Sequence, residues 1–121
     1  MANEIQMQAK LYASKGGAYL PNVPYNVTAN MSGTDMASQT LSIGTTEESL
    51  ALGTDVTLPA HVCIANLDST NYVQIGFSTG DYVVRINPGA AALLPYVESG
   101  TTIYAKANTA SVTVQVTACE V

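Results

Sequence analysis

The chain has 121 residues, of which only 11% are charged, and its formal net charge is −5. This length fits one domain with a core of its own. Four scattered cations (Lys10, Lys15, Arg85 and Lys106) are too few to neutralise the several phosphates that nucleic-acid binding requires, and an anionic membrane surface is disfavoured for the same reason. We therefore expect no nucleic acid and no membrane among the partners.

The N-terminal residues predict a protein that folds in the cytoplasm. The first twenty residues lack the basic start and continuous apolar run of a signal peptide, and no stretch is long enough for a membrane-spanning helix. In that compartment Cys63 and Cys119 are expected to be free thiols, although a disulfide between them stays open.

The first predicted element is a strand in which Ile5, Met7 and Ala9 alternate with polar residues. Paired glycines and two prolines then make residues 13–24 a loop or an extended arm. We assign residues 1–24 to an N-terminal strand and arm, part of the same domain, and residues 25–121 to a β-sandwich core.

Period-two alternation recurs along the rest of the chain, at residues 25–32, 73–77, 103–107 and 111–118. Residues 61–67 and 82–86 are apolar at almost every position, which is typical of strands covered on both faces. Residues 47–52 fit one helical turn or a strand about equally well. Turn signals recur about every 8–12 residues. The pattern predicts an all-β fold, a single-domain jelly roll or β-sandwich of about eight antiparallel strands.

Residues with catalytic or metal-binding chemistry form no recognisable constellation. His61 and Cys63 share a strand face, but no further ligand accompanies them at short spacing, so a half-buried strand histidine is expected. Glu47 and Glu48 would point to opposite faces of a strand, while Asp68 and Asp81 fall in turns. We predict no catalytic, cofactor-binding or metal-binding residues, no cofactor, and no enzymatic activity.

Tyrosine is the residue type that suggests binding, because it combines an apolar ring with a polar tip. Tyr72 and Tyr104 alternate with apolar neighbours and so are expected to point outward. With Tyr12 and Tyr19 they are our candidate protein-contact residues. A carbohydrate platform on Tyr72 and Tyr104 is the alternative, although the chain lacks the tryptophan that such platforms favour.

The last three-fifths of the chain carry a loose motif of strand and turn residues. A strand ending in Asn66-Leu67-Asp68 leads to a Val-x-Ile-Gly strand (residues 73–76), a Pro-Gly turn (88–89) and a late Ile-Tyr-Ala-Lys-Ala strand (103–107). This pattern resembles small jelly-roll structural proteins of tailed bacteriophages, the capsid decoration or cement proteins.

The resemblance implies a virion protein that binds the outer capsid and stabilises the head without catalysis. It implies the major capsid protein or other virion proteins as partners, a homo-oligomer (dimer or trimer), and assembly into virions in the host cytoplasm. A tail or fibre component, either receptor-binding or an adaptor, and a carbohydrate-binding β-sandwich module are the alternatives.

Overall fold

The computed structural model describes residues 4–121, which form strands, turns and loops without a helix. The prediction of an all-β fold is confirmed. The chain divides into two compact units, Met1–Ser32 and Gly33–Val121. The twelve strands, in chain order, are β1 (Ile5–Ala9), β2 (Ser14–Lys15), β3 (Ala18–Tyr19), β4 (Tyr25–Ala29), β5 (Met36–Ile43), β6 (Glu48–Ser49), β7 (Ala60–Asn66), β8 (Val73–Gly76), β9 (Val84–Ile86), β10 (Ala91–Val97), β11 (Tyr104–Ala107) and β12 (Val112–Glu120).

The first unit is a β-hairpin, here called the N-terminal hairpin (residues 5–29). β1 pairs with β4, and β2 pairs with β3 beyond them. The turn at its tip is Gly16-Gly17, with φ of 59° and 86°. Positive φ at both central residues defines the type I′ turn that suits two-residue hairpins, and glycine adopts it without steric cost. The strand Tyr25–Ala29, which the sequence analysis assigned to the sandwich core, thus pairs within this hairpin.

The second unit contains two four-stranded antiparallel sheets with a nested connectivity. Their strand orders are β10-β7-β12-β5 and β6-β11-β8-β9. Among the eight strands the first pairs with the last, the second with the seventh, the third with the sixth and the fourth with the fifth. A hairpin of four strand pairs wrapped in this way is the jelly-roll connectivity.

The core of this unit lies between the inner faces of the two sheets. Alternate residues of β12 are fully buried, and so are alternate residues of β7. They pack against inward residues of β8, β9 and β11 in one apolar cluster. Burial of this apolar surface stabilises the sandwich, and it fixes strand register because a slip of one residue would turn the apolar set outward.

The Asn66-Leu67-Asp68 segment of the motif serves the fold. Asn66 is 1% exposed, and its Nδ2 donates to the carbonyls of Asn71 (3.0 Å) and Ile86 (2.9 Å). Its Oδ1 accepts from the Asp68 N–H at 2.8 Å. Asp68 in turn accepts from the backbone N–H groups of Thr70 and Asn71, which lowers the pKa of its carboxyl. These bonds satisfy the buried polar groups where β7 ends.

The glycine of the Val-x-Ile-Gly segment has a steric reason. A Cβ atom on Gly76 would lie 1.9 Å from the carbonyl oxygen of Asp81, because the backbone at Asp81 and Tyr82 crosses closely over β8. The predicted turns are confirmed nearby. Gly89 has φ 78°, and the Ala90 N–H donates to the Asn87 carbonyl at 2.9 Å, as in a type II turn.

Candidate interaction surfaces

The N-terminal hairpin exposes large apolar side chains. Tyr12 is 47% exposed and Tyr19 is 75% exposed, so both candidate contact residues of this unit are open to solvent. Five more apolar side chains of the hairpin are exposed with them: Leu11, Leu20, Val23, Tyr25 and Val27. Exposed apolar surface gathered on one small element marks a candidate site of interaction. The sequence alone indicated the two tyrosines but not the other exposed apolar side chains of the hairpin.

The two units differ in charge. Residues 4–32 carry Glu4, Lys10 and Lys15, a formal net charge of +1, whereas residues 33–121 carry eight carboxylates and two cations, a net charge of −6. The hairpin therefore offers apolar surface with two lysines, a combination suited to a partner surface that is apolar with an acidic rim.

On the outer face of the β6-β11-β8-β9 sheet, two cationic side chains lie over tyrosine rings. The Arg85 guanidinium lies over the Tyr72 ring, 3.9 Å from its centroid, and the Lys106 ammonium lies 5.9 Å from the centroid of Tyr82. The strand register explains this arrangement, because Lys106, Gln74 and Arg85 stand side by side on three neighbouring strands. We call this set, with Tyr72 and Tyr82, the tyrosine–cation face. Neither cation forms an ion pair within the described part of the chain.

Glu47 holds Tyr82 of the tyrosine–cation face in place by hydrogen bonding. Its carboxylate accepts a hydrogen bond from the Gly80 N–H at 2.7 Å and a short one from the Tyr82 hydroxyl. These bonds lower the pKa of Glu47, and the same carboxylate raises the pKa of Tyr82 to about 12. Tyr82 therefore stays protonated as a hydrogen-bond donor through the neutral range, which makes this contact a structural one.

Tyr104 and Tyr72, the other two candidate contact residues, are half-buried. Tyr104 lies on β11 opposite Gly76 and Ser49, on the outward side of the strand as its alternation predicted. Sequence reasoning found both tyrosines but missed the cations beside them. The sequence signal for Lys106 was its position two residues after Tyr104 in β11, because residues two apart in a strand lie on the same face.

The outer face of the other sheet carries no carboxylate and no Lys or Arg. Ser38 and Thr40 of β5 stand beside Gln115 and Thr117 of β12, with Ser38 Oγ bonded to Thr117 Oγ1 (3.2 Å) and to Gln115 Nε2 (2.9 Å). Towards β7 and β10 the face becomes more apolar, where its outward residues are His61, Cys63, Ala65, Ala91 and Leu93.

His61 and Cys63 share this face, as their spacing predicted. His61 Nδ1 makes a short contact with the Pro95 carbonyl, and its ring meets Tyr96 edge-on. Cys63 and Cys119 lie on adjacent strands with free thiols, and burial raises the pKa of Cys119. Within residues 4–121, no three His, Cys, Asp or Glu side chains are grouped to hold a metal ion.

A shallow apolar cleft lies beside β10. Its volume is about 330 Å³, and Phe77, Leu94 and Tyr96 line it together with Pro95, Val97, Glu98 and Thr101. Phe77 and Tyr96 are about half exposed. The cleft presents aromatic rings and a single carboxylate, so its chemistry is that of a contact surface.

Comparison of the chain with family models, with curated proteins and with solved structures found no match. Within the described residues, no helix is long and apolar enough to cross a membrane.

Proposed function

We propose that this chain is a structural protein of a tailed-phage virion, a capsid decoration protein that binds the outer capsid and stabilises the head. The observation that carries the proposal is the N-terminal hairpin, whose exposed Tyr12, Tyr19 and neighbouring apolar side chains offer a surface for a protein partner. The major capsid protein is the partner we infer, and small contacts of this kind add up when many copies bind one lattice.

The nested connectivity of the core supports the same proposal. Jelly rolls of this type are common in viral capsid proteins, and they also occur in lectins and cupins. A fold alone does not determine a function, so the main support for the proposal comes from the exposed surfaces of the two units. The uncharged Ser/Thr/Gln face and the apolar hairpin suit extended protein contacts better than recognition of a small ligand.

The contact between Arg85 and Tyr72 bears on the carbohydrate alternative. A sugar stacks on an open aromatic face, and the guanidinium lies over one face of the Tyr72 ring at 3.9 Å. Tyr104 is half-buried among its neighbours. Protein contact is therefore the better-supported use of the tyrosine–cation face.

Electron microscopy of virions labelled with an antibody against this chain tests the location. We expect label distributed over the head. Label confined to the tail would support the tail or fibre alternative, and unlabelled virions would contradict the proposal.

The role of the hairpin is tested by binding of purified protein to heads that lack it. The double variant Tyr12→Ser/Tyr19→Ser should bind at least about tenfold more weakly, because two central aromatic anchors of an interface each contribute about 1–2 kcal/mol or more. Leu67→Ser/Val83→Ser, which changes two exposed apolar positions of the second unit, is the matched control and should bind like the unmodified protein. Equal binding by all three proteins would exclude the hairpin as the contact.

A further inference from the structure

One side of β5 has no strand beside it. β5 lies at the end of its sheet and pairs only with β12, so one row of its backbone N–H and C=O groups faces outward from the ladder. No charged residue, proline or register shift interrupts its eight residues. Proteins use those features to keep an edge from pairing with another chain, and β5 has none of them.

The other edges of the two sheets are shorter or interrupted. β10 contains Pro95, and its register shifts between Leu94 and Val97. β9 has three residues, including Arg85, and β6 has two. Prolines, bulges, charges and short length all discourage pairing at an edge. β5 is therefore the long, unprotected edge of the core.

The hydrogen bonds of β12 show which groups of β5 face the free side. The Glu120 N–H donates to the carbonyl of Asp35, which precedes β5, and the Thr113 carbonyl accepts from the N–H of Leu67, which follows β7. Even-numbered residues of β12 therefore bond towards β5, and odd-numbered residues bond towards β7. Bonding direction alternates along an antiparallel strand. The backbone groups that point to the free edge consequently belong to Met36, Ser38, Thr40 and Ser42, all of them exposed residues.

We propose that a second copy of this chain occupies this edge, through antiparallel pairing of the two β5 strands about a two-fold axis at Gln39. In this register Ser38 lies opposite Thr40 of the partner subunit, and Met36 lies opposite Ser42 of the partner subunit. Four such pairs give about eight backbone hydrogen bonds, two for each pair. The β10-β7-β12-β5 sheet of one subunit and the same sheet of its partner then become one continuous sheet with a shared Ser/Thr/Gln face.

The sequence of β5 is self-complementary in that register. Outward positions meet outward positions, and the inward Ala37 meets the partner's Leu41, so apolar residues stay on the core side. Although the chain carries a net charge of −5, none of the eight residues is charged, and like charges do not face each other across the axis. A closed two-fold contact uses the same surface on both subunits, as this one does.

This pairing requires no capsid, so it stands apart from the decoration proposal and is tested on the purified full-length chain. Sedimentation equilibrium of the unmodified protein should give twice the chain mass of 12.6 kDa. Ser38→Lys/Thr40→Lys should shift the mass to that of one chain, because each new lysine faces a lysine of the partner. Both positions are exposed, so circular dichroism should remain unchanged and thermal unfolding should remain cooperative. The unfolding temperature should fall, because the variant lacks the stabilisation that dimerisation gives the unmodified protein.

A second variant tests the register itself. Ser38→Glu/Thr40→Lys places a carboxylate opposite an ammonium in both pairs and should restore the dimer, in a manner weakened by salt. In a register centred on Thr40 the lysines would instead face each other. An unmodified protein that stays monomeric, or a Ser38→Lys/Thr40→Lys variant that stays dimeric through the hairpin or another surface, would overturn the proposal. A monomeric Ser38→Glu/Thr40→Lys variant would overturn the register.

Discussion

Asn66 shows how much one buried amide can contribute at the scale of the residue. Its side chain makes three hydrogen bonds that connect the end of β7 with the loop at Asn71 and with β9. An apolar side chain of the same size would fill the space and leave those backbone groups without partners. The cost of such a change comes from the groups left unpaired more than from the bonds themselves.

We expect Asn66→Leu to lower the free energy of unfolding by about 2–3 kcal/mol, since it leaves buried or partly buried polar groups without a hydrogen-bond partner. Urea unfolding followed by circular dichroism measures the change. Asn87→Leu is the control, because Asn87 is exposed and its side chain makes no hydrogen bond in the described structure. That variant should stay within about 0.5 kcal/mol of the unmodified protein. Equal effects of the two substitutions would contradict the role assigned to Asn66.

Glu120 predicts a pH dependence of stability. Its carboxylate accepts hydrogen bonds from Thr57 Oγ1 (2.8 Å) and from the backbone of Thr57, Thr34 and Asp35, which lowers its pKa below the ordinary value of 4.5. A depressed pKa in the folded state means that the stabilisation is complete above the unfolded value. It is lost as the pH falls through the folded value.

Glu120→Gln should therefore unfold at a lower temperature than the unmodified protein at neutral pH, because glutamine keeps the shape but lacks the charge. The difference should shrink below pH 4.5, where the carboxylate protonates in the unfolded chain before it does so in the folded protein. Thermal unfolding across a pH series measures it. Glu98→Gln, at an exposed position, is the control. A difference that is independent of pH would show that the charge on Glu120 is unimportant.

At the scale of the element, the strand β8 depends on the absence of a side chain at its last position. Gly76→Ala would place a methyl group against the Asp81 backbone, so the segment that carries Tyr82 must move. We expect a loss of about 1–3 kcal/mol in the free energy of unfolding, the usual cost of overpacking. Gly44→Ala is the control, since its Cβ would meet nothing closer than 3.9 Å and should change stability little. Denaturant unfolding of both variants decides the point.

The strands show what a sequence can and cannot predict. The alternation that predicted β8, β11 and β12 works because each has one face in the core. β5 escaped prediction because the polar Gln39 lies at an inward position, where it interrupts the apolar alternation, and because Ser and Met give weak strand signals. Pro95 concealed β10, since proline argues against a central strand but is tolerated at an edge.

The local residue pattern of a strand does not predict which other strand it pairs with. Residues 36–43 join residues 112–119, and no feature of either segment names the other. The same limit applied to the candidate surfaces, because Arg85 meets Tyr72 only once β8 and β9 are aligned. The motif behind the phage resemblance turned out to contain Asn66 and Gly76, whose roles are in the fold. Such residues indicate architecture better than they indicate function.

At the scale of the whole molecule, the jelly-roll unit depends on its last strand. β12 is central in its sheet, between β5 and β7, and supplies four fully buried side chains to the core. A chain that ends at residue 111 should therefore fail to fold. We expect it to lack cooperative thermal unfolding and to bind the dye ANS, which reports exposed apolar surface. A cooperative transition in that truncated chain would contradict the central role of β12.

The nested pairing also has a consequence for synthesis. A ribosome makes β5 early and β12 late, so the first strand of the jelly-roll unit must wait for more than half of the chain before its partner emerges. During that interval β5 and β7 both have bare edges, and nascent chains on one messenger lie close together. The charge-poor composition then becomes a hazard, because few charges keep neighbouring chains apart. Cells that make this protein rapidly should depend on chaperones that hold unfinished chains apart.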